Sequence, residues 1–135
     1  MDLDTPIALV SGHGAFINGH LMQPAQALSA LRASPHLTCH TGFLVERLGF
    51  AAAARKTELR SVYEQKHFDV AELFAFVCPA LMAVPTPAGL ARVLSLKSSA
   101  TLPDIASELL RRLADPRYPL VRETAENATF LARAN

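Results

Sequence analysis

Along this chain, short apolar runs closed by glycine come first, and stretches with apolar residues every three or four positions follow. "PIALVSG" (Pro6 to Gly12) is a compact apolar run with a glycine stop, which predicts a strand. "HGAFINGHLM" predicts a second strand, with Asn18-Gly19 as a tight hairpin turn because both residue types accept positive φ. In "PAQALSALRAS", Ala25, Leu28 and Leu31 fall at helical spacing and Pro24 suits a first helical turn. "HLTCHT" is short, β-branched and apolar, a third strand. Gly42 then opens "FLVERLGF", a short helix that Gly49 closes.

The middle segment, "AAAARKTELRSVYEQKHFDV", interleaves Arg55, Lys56, Arg60 and Lys66 with Glu58 and Glu64. A solvated helix face explains this pattern at least as well as a phosphate-tracking patch does. "FDVAELFAFVCPAL" predicts a helix capped by Asp69, with Glu72 completing a capping box and Leu73, Phe76 and Val77 facing inward. Pro79 ends it. "VPTPAGLARVLSL" starts another helix at Thr86, with Leu90, Val93 and Leu94 inward, and "LPDIASELLRRLADP" gives a third from Asp104 to about Ala114. A final helix is expected near Thr124, within "RETAENATFLA". Strands first and helices afterwards predict an α/β domain with a small mixed sheet. The strands at Ile7–Val10 and Leu37–His40 are expected to be neighbours in it, covered by Leu73, Phe76, Leu90 and Leu94.

The chain has 135 residues, half of them apolar, enough for one core without covalent staples. A formal charge of +1 argues against a strongly basic nucleic-acid surface, although a local patch can hide in a neutral total. Cys39 and Cys78 sit in separate apolar runs and read as buried thiols of a reducing compartment. The acidic N-terminus does not resemble a signal peptide, and no apolar run is long enough to span a membrane. A cytoplasmic domain is expected. Asn135 ends the chain inside a helical pattern, so the chain reads as a fragment of a longer protein.

Several chemistries find no residues to carry them. GxxxxGK[ST], GxSxG and HExxH are missing, and the five histidines stand at no metal-ligand spacing. Cys39 and His40 are adjacent on an expected strand, so their side chains point to opposite faces and cannot form a dyad.

From "CHTGFLVERL" through "FDVAELFAFVCPALMAVPTPAGLARVLSL" to "RETAENATFLA", the order of motifs resembles the DnaQ-like 3′–5′ exonucleases of the ribonuclease H-like superfamily. The segment "ELFAFVCPALMAVPTPAGLARVLSL" further resembles the N-terminal region of alphaproteobacterial DinG-like, XPD-related ATP-dependent DNA helicases. The resemblance implies a ribonuclease H-like fold and one exonuclease-like domain over residues 1–135, followed by a helicase core. Exonucleases of this class hold two metal ions with four carboxylates. Matched to their H-N-x-x-F-D motif, His40 is retained, Thr41 takes the asparagine place and Val45 the metal-binding aspartate place. Matched to H-x-A-x-x-D-A, Arg122 replaces the general-base histidine and Asn127 the last aspartate, and the first strand lacks the D-x-E acids. Asp69 matches an aspartate that caps and does not ligate. The resemblance therefore implies a degenerate site at Val45, Arg122 and Asn127, without metal or cofactor.

Three functions compete on these grounds. The first is a non-catalytic accessory domain that docks the helicase core of the same parent chain or guides single-stranded DNA. Weak, nonspecific DNA contact would come from Arg55, Lys56, Arg60, Arg117 and Arg122. The second is a standalone interaction domain. The third is an active metal-dependent exonuclease with acids at Asp2, Asp4, Glu46 or Glu126. An ordinary capped helix at Thr124 needs no ancestry and also denies catalysis.

Overall fold

The computed structural model describes residues 5–12 and 14–115, and the chain divides into two compact units, Met1–Asp69 and Val70–Asn135. The expected helix near Thr124, with Arg117, Arg122 and Asn127, lies outside the described residues.

In the first unit the described residues form an α/β arrangement around a mixed five-stranded sheet. β1 (Ile7–Ser11) pairs antiparallel with β2 (Gly14–Ile17), and β2 pairs antiparallel with β3 (His20–Met22). The β2–β3 turn is Asn18-Gly19, with φ of 49° and 82°, the pair of positive values a tight hairpin demands. Asn18 does more than turn the chain, because its Oδ1 accepts from the Ile7 amide at 2.8 Å and ties the hairpin to the start of β1. Helix α1 (Pro24–Ala33) returns the chain to β4 (Leu37–Thr38), which lies parallel to β1 in the register Ile7–Leu37 and Ala8–Thr38. Helices α2 (Thr41–Ala51) and α3 (Lys56–Glu64) follow, and β5 (Phe68–Asp69) adds parallel to β4. The strand order is β3-β2-β1-β4-β5. The expected adjacency of the Ile7 and Leu37 strands is present.

One core cluster of this unit joins its sheet to its helices. Ala8, Ala15 and Ile17 of the sheet meet Ala27, Leu28 and Leu31 of α1, Leu44, Val45 and Leu48 of α2, and Val62 of α3. The inward face of α1 differs from the expected one: Ala27 is buried and Ala25 is exposed. Gly49 does not stop α2. It is a buried helical residue, and an added Cβ would lie 2.8 Å from Leu59 Cδ2, so the missing side chain lets α3 come close. Phe68 and Asp69 pair in the sheet, and the helix expected after Asp69 begins directly behind them at Val70.

The second unit contains, among its described residues, α4 (Val70–Val77), α5 (Pro87–Val93) and α6 (Leu102–Ala114). On α4 the buried residues are Val70, Phe74 and Val77, while Leu73 and Phe76 are half-buried. Thr86 caps α5 as expected, accepting from the Gly89 amide at 3.0 Å. Leu90 and Leu94 are buried and Val93 is half-buried. Helix α6 starts earlier than Asp104, because Thr101 and Asp104 form a reciprocal capping box with Pro103 inside the first turn.

Candidate functional site

In open α/β sheets the carboxyl ends of parallel strands are where ligands collect, so the ends of β1, β4 and β5 come first. Two side chains close that edge. Asp69, at the end of β5, accepts from the backbone amides of His40 (3.0 Å) and Thr41 (2.9 Å) at the start of α2. Thr41 also shares a hydroxyl hydrogen bond with Thr38 of β4. Arg47 reaches back from α2 to the Gly12 carbonyl just past β1, with Nε donating at 2.9 Å and Nη2 donating alongside. Asp69 thus stabilises backbone amides at the start of α2, from the strand beside the one that leads into that helix.

His40 precedes α2 in the left-handed region (φ 62°), where histidine is one of the more tolerant residues. Its Nδ1 accepts from the Phe43 amide at 3.1 Å, so it caps the helix. Its ring meets Phe43 edge-on with centroids 5.9 Å apart, and the Arg47 guanidinium lies 5.9 Å from the centre of the same Phe43 ring. Behind it, the Cys39 thiol is buried, and desolvation with the nearby Asp69 charge pushes its pKa up to about 12. Such a thiol is a poor nucleophile at neutral pH.

Val45 is completely buried within the core of the first unit. Glu46, one of the acids a nuclease reading would use, is exposed and its carboxylate accepts from the Tyr63 hydroxyl at 3.3 Å. Burial and this carboxylate together raise the Tyr63 pKa. Among the described residues, no three His, Cys, Asp or Glu side chains converge as a metal-binding group.

The basic residues singled out in the sequence separate into two sets. Arg117 and Arg122 lie outside the described residues, while Arg55, Lys56 and Arg60 are exposed at the start of α3. Lys56 and Arg60 line a concavity of about 370 Å³ with Glu46, Leu59 and Tyr63. Phe43 and Arg47 escaped the sequence reading. The signal for both was present: His40, Phe43, Arg47 and Phe50 recur at helical spacing opposite Leu44, Val45 and Leu48, and all four are exposed.

In the second unit a groove of about 400 Å³ runs beside α4 and the segment after it, lined among others by Phe74, Cys78, Leu81, Met82 and Leu90. Met82 is 91% exposed and Val84 64%. On α6, Glu108 receives two hydrogen bonds from Arg111 and one from Arg112, which draw its pKa down to about 2. No helix among the described residues is long and apolar enough to cross a membrane. Compared with models of protein families, with curated proteins and with solved structures, the chain has no significant match.

Proposed function

We propose that this chain is a non-catalytic, exonuclease-like accessory domain of a DinG-like ATP-dependent DNA helicase, which docks the helicase core or guides single-stranded DNA to it. The observation that carries the reading is a pairing of order and loss. The sheet runs β3-β2-β1-β4-β5 with β2 antiparallel to its neighbours, the arrangement a ribonuclease H-like fold leads one to expect. At the same time Val45, matched to a metal-binding aspartate, is a fully buried core residue. A valine there offers no oxygen to a divalent cation, and its neighbours Ala8, Ala15 and Leu48 offer none from their side chains either. Arg122 and Asn127, the other degenerate positions, weaken the ligand set further on the same resemblance.

Two measurements test this. Incubation of the chain with labelled single-stranded DNA and Mg²⁺ or Mn²⁺ is expected to leave the DNA intact; metal-dependent shortening from the 3′ end would return the exonuclease reading. The gene beyond Asn135 is expected to encode P-loop and DEAH-type helicase motifs, and its ending without them would remove the helicase part.

The second reading, a standalone interaction domain, draws on the exposed Leu81, Met82 and Val84 beside the groove of the second unit. Retention of the chain by the purified helicase core, and its loss in a Met82→Glu variant, favours the accessory reading over the standalone one.

A further inference from the structure

The exposed sides of α2 and α3 in the first unit both carry aromatic rings and cations. On α2, Phe43 (50% exposed) and Arg47 project from the side opposite the core. On α3, Lys56, Arg60 and Tyr63 stand at i, i+4 and i+7, on one side of the helix, and Tyr63 is 45% exposed. Glu46 joins the two helices through its hydrogen bond to Tyr63 and lines the same concavity as Lys56 and Arg60. That concavity, about 370 Å³, falls within the size range of small-ligand sites, roughly 300–1,000 Å³.

We infer that these sides form a binding strip for single-stranded DNA, with Phe43 and Tyr63 stacking on bases and Arg47, Lys56 and Arg60 neutralising phosphates. The inference rests on the accessory-domain reading and moves DNA contact away from the degenerate site to the outer face of the helices.

Three features support a polynucleotide over a protein. First, cations outnumber acids on this side: Arg47, Lys56 and Arg60 stand with Glu46 and with Glu64, four residues after Arg60, while Glu58 lies on the far side of α3 by helical spacing. Among the described residues, the ion pairs recorded all involve Glu108 or Asp115 of the second unit, so no carboxylate pairs with these three cations. Second, Arg47 is held in place. Its bond to the Gly12 carbonyl and its position over Phe43 fix the guanidinium before any ligand arrives, and a carbonyl partner leaves its charge unneutralised. Third, half-exposed aromatic rings beside fixed cations are the arrangement that binds unpaired bases and backbone without reading sequence. The near-neutral total charge fits a local, weak and salt-sensitive contact that gains effect by tethering to a helicase.

The test is anisotropy of a labelled oligothymidylate titrated with the whole chain at several low salt concentrations. For three phosphates neutralised, the logarithm of the binding constant should fall against that of salt with a slope of about −2, from roughly −0.7 per phosphate on a single strand. In the double variant Lys56→Glu/Arg60→Glu the slope should drop to about −0.7, with affinity reduced about tenfold or more. Arg92→Glu/Lys97→Glu, two exposed cations of the second unit, should bind like the parent. Circular dichroism confirms that each variant is folded.

A second readout is specific to stacking. The chain has no tryptophan and only Tyr63 and Tyr118, so tyrosine fluorescence should be quenched by the oligonucleotide in the parent and far less in Tyr63→Phe. If the parent binds and Lys56→Glu/Arg60→Glu binds equally well, the strip is wrong while a DNA-guiding role stands. If the parent does not bind at low salt, both the strip and DNA guiding are overturned, leaving docking as the accessory role.

Discussion

Val45 shows how a single side chain separates an enzyme from a scaffold. Val45→Asp would place a carboxylate among Ala8, Leu44 and Leu48 without a partner. The expected result is a loss of about 3 kcal/mol or more, read by urea denaturation, with no nuclease activity gained. Gly89 makes a comparable point about the main chain. A Cβ there would lie 2.2 Å from the Val84 carbonyl oxygen, inside the turn that Thr86 caps. Gly89→Ala should therefore cost about 1–3 kcal/mol although alanine is the better helix former. The sequence made Thr86 legible as a cap because hydroxyl caps are local chemistry. It did not reveal the role of Gly89, since the crowding carbonyl is set by the path of the Pro85–Pro87 turn.

Among elements, legibility followed length and locality. The Asn18-Gly19 hairpin, β1, β4 and the capped helices were readable because turn residues, caps and periodicity act over a few positions. β5 was not. Two residues carry no alternation, and Phe68-Asp69 became a strand only through pairing with Leu37 and Thr38 some thirty positions away. The same pairing brings Asp69 to the start of α2, so its acceptor role there was hidden in the sequence while its identity as a capping residue was not. Asp69→Ala should free the His40 and Thr41 amides and destabilise the first unit by about 2 kcal/mol, whereas Asp69→Asn, which keeps one acceptor, should cost less. Thermal melts of the two variants check this. The candidate surface was half legible: Lys56 and Arg60 stood out as charges, while the exposure of Phe43 and Tyr63 follows only from the burial of Leu44 and Val62 on the opposite sides of their helices.

For the whole molecule, the two units answer acid differently. In the first, His36 is buried; its Nδ1 donates to the Ser34 carbonyl, and its amide donates to His67 Nδ1, whose Nε2 donates to the Val62 carbonyl. The His67 ring accepts at Nδ1 and is therefore neutral, and desolvation lowers both pKa values below 6.5. A His with a depressed folded pKa binds fewer protons folded than unfolded. Stability is then full above about 6.5 and falls as pH drops through that value toward the folded pKa values. In the second unit Glu108 falls to about 2 through its bonds to Arg111 and Arg112. Its contribution is present above the ordinary carboxylate range and lost only as pH falls from 4.5 toward 2. Stability against pH should accordingly show an early loss near neutrality and a later one in strong acid. His36→Gln/His67→Gln should flatten the first, and Glu108→Gln the second.

The two cysteines give each unit its own clock. Cys39 and Cys78 are both buried, one in each unit, and the Cys39 thiol titrates too high to react while covered. Alkylation at either position must therefore wait for that unit to open, so the labelling rate measures the opening equilibrium, as amide exchange does for backbone groups. Mass spectrometry of the two tryptic peptides after timed exposure to iodoacetamide would time both openings in one sample. Oligonucleotide bound to α2 and α3 should slow modification at Cys39 and leave the pace at Cys78 unaltered.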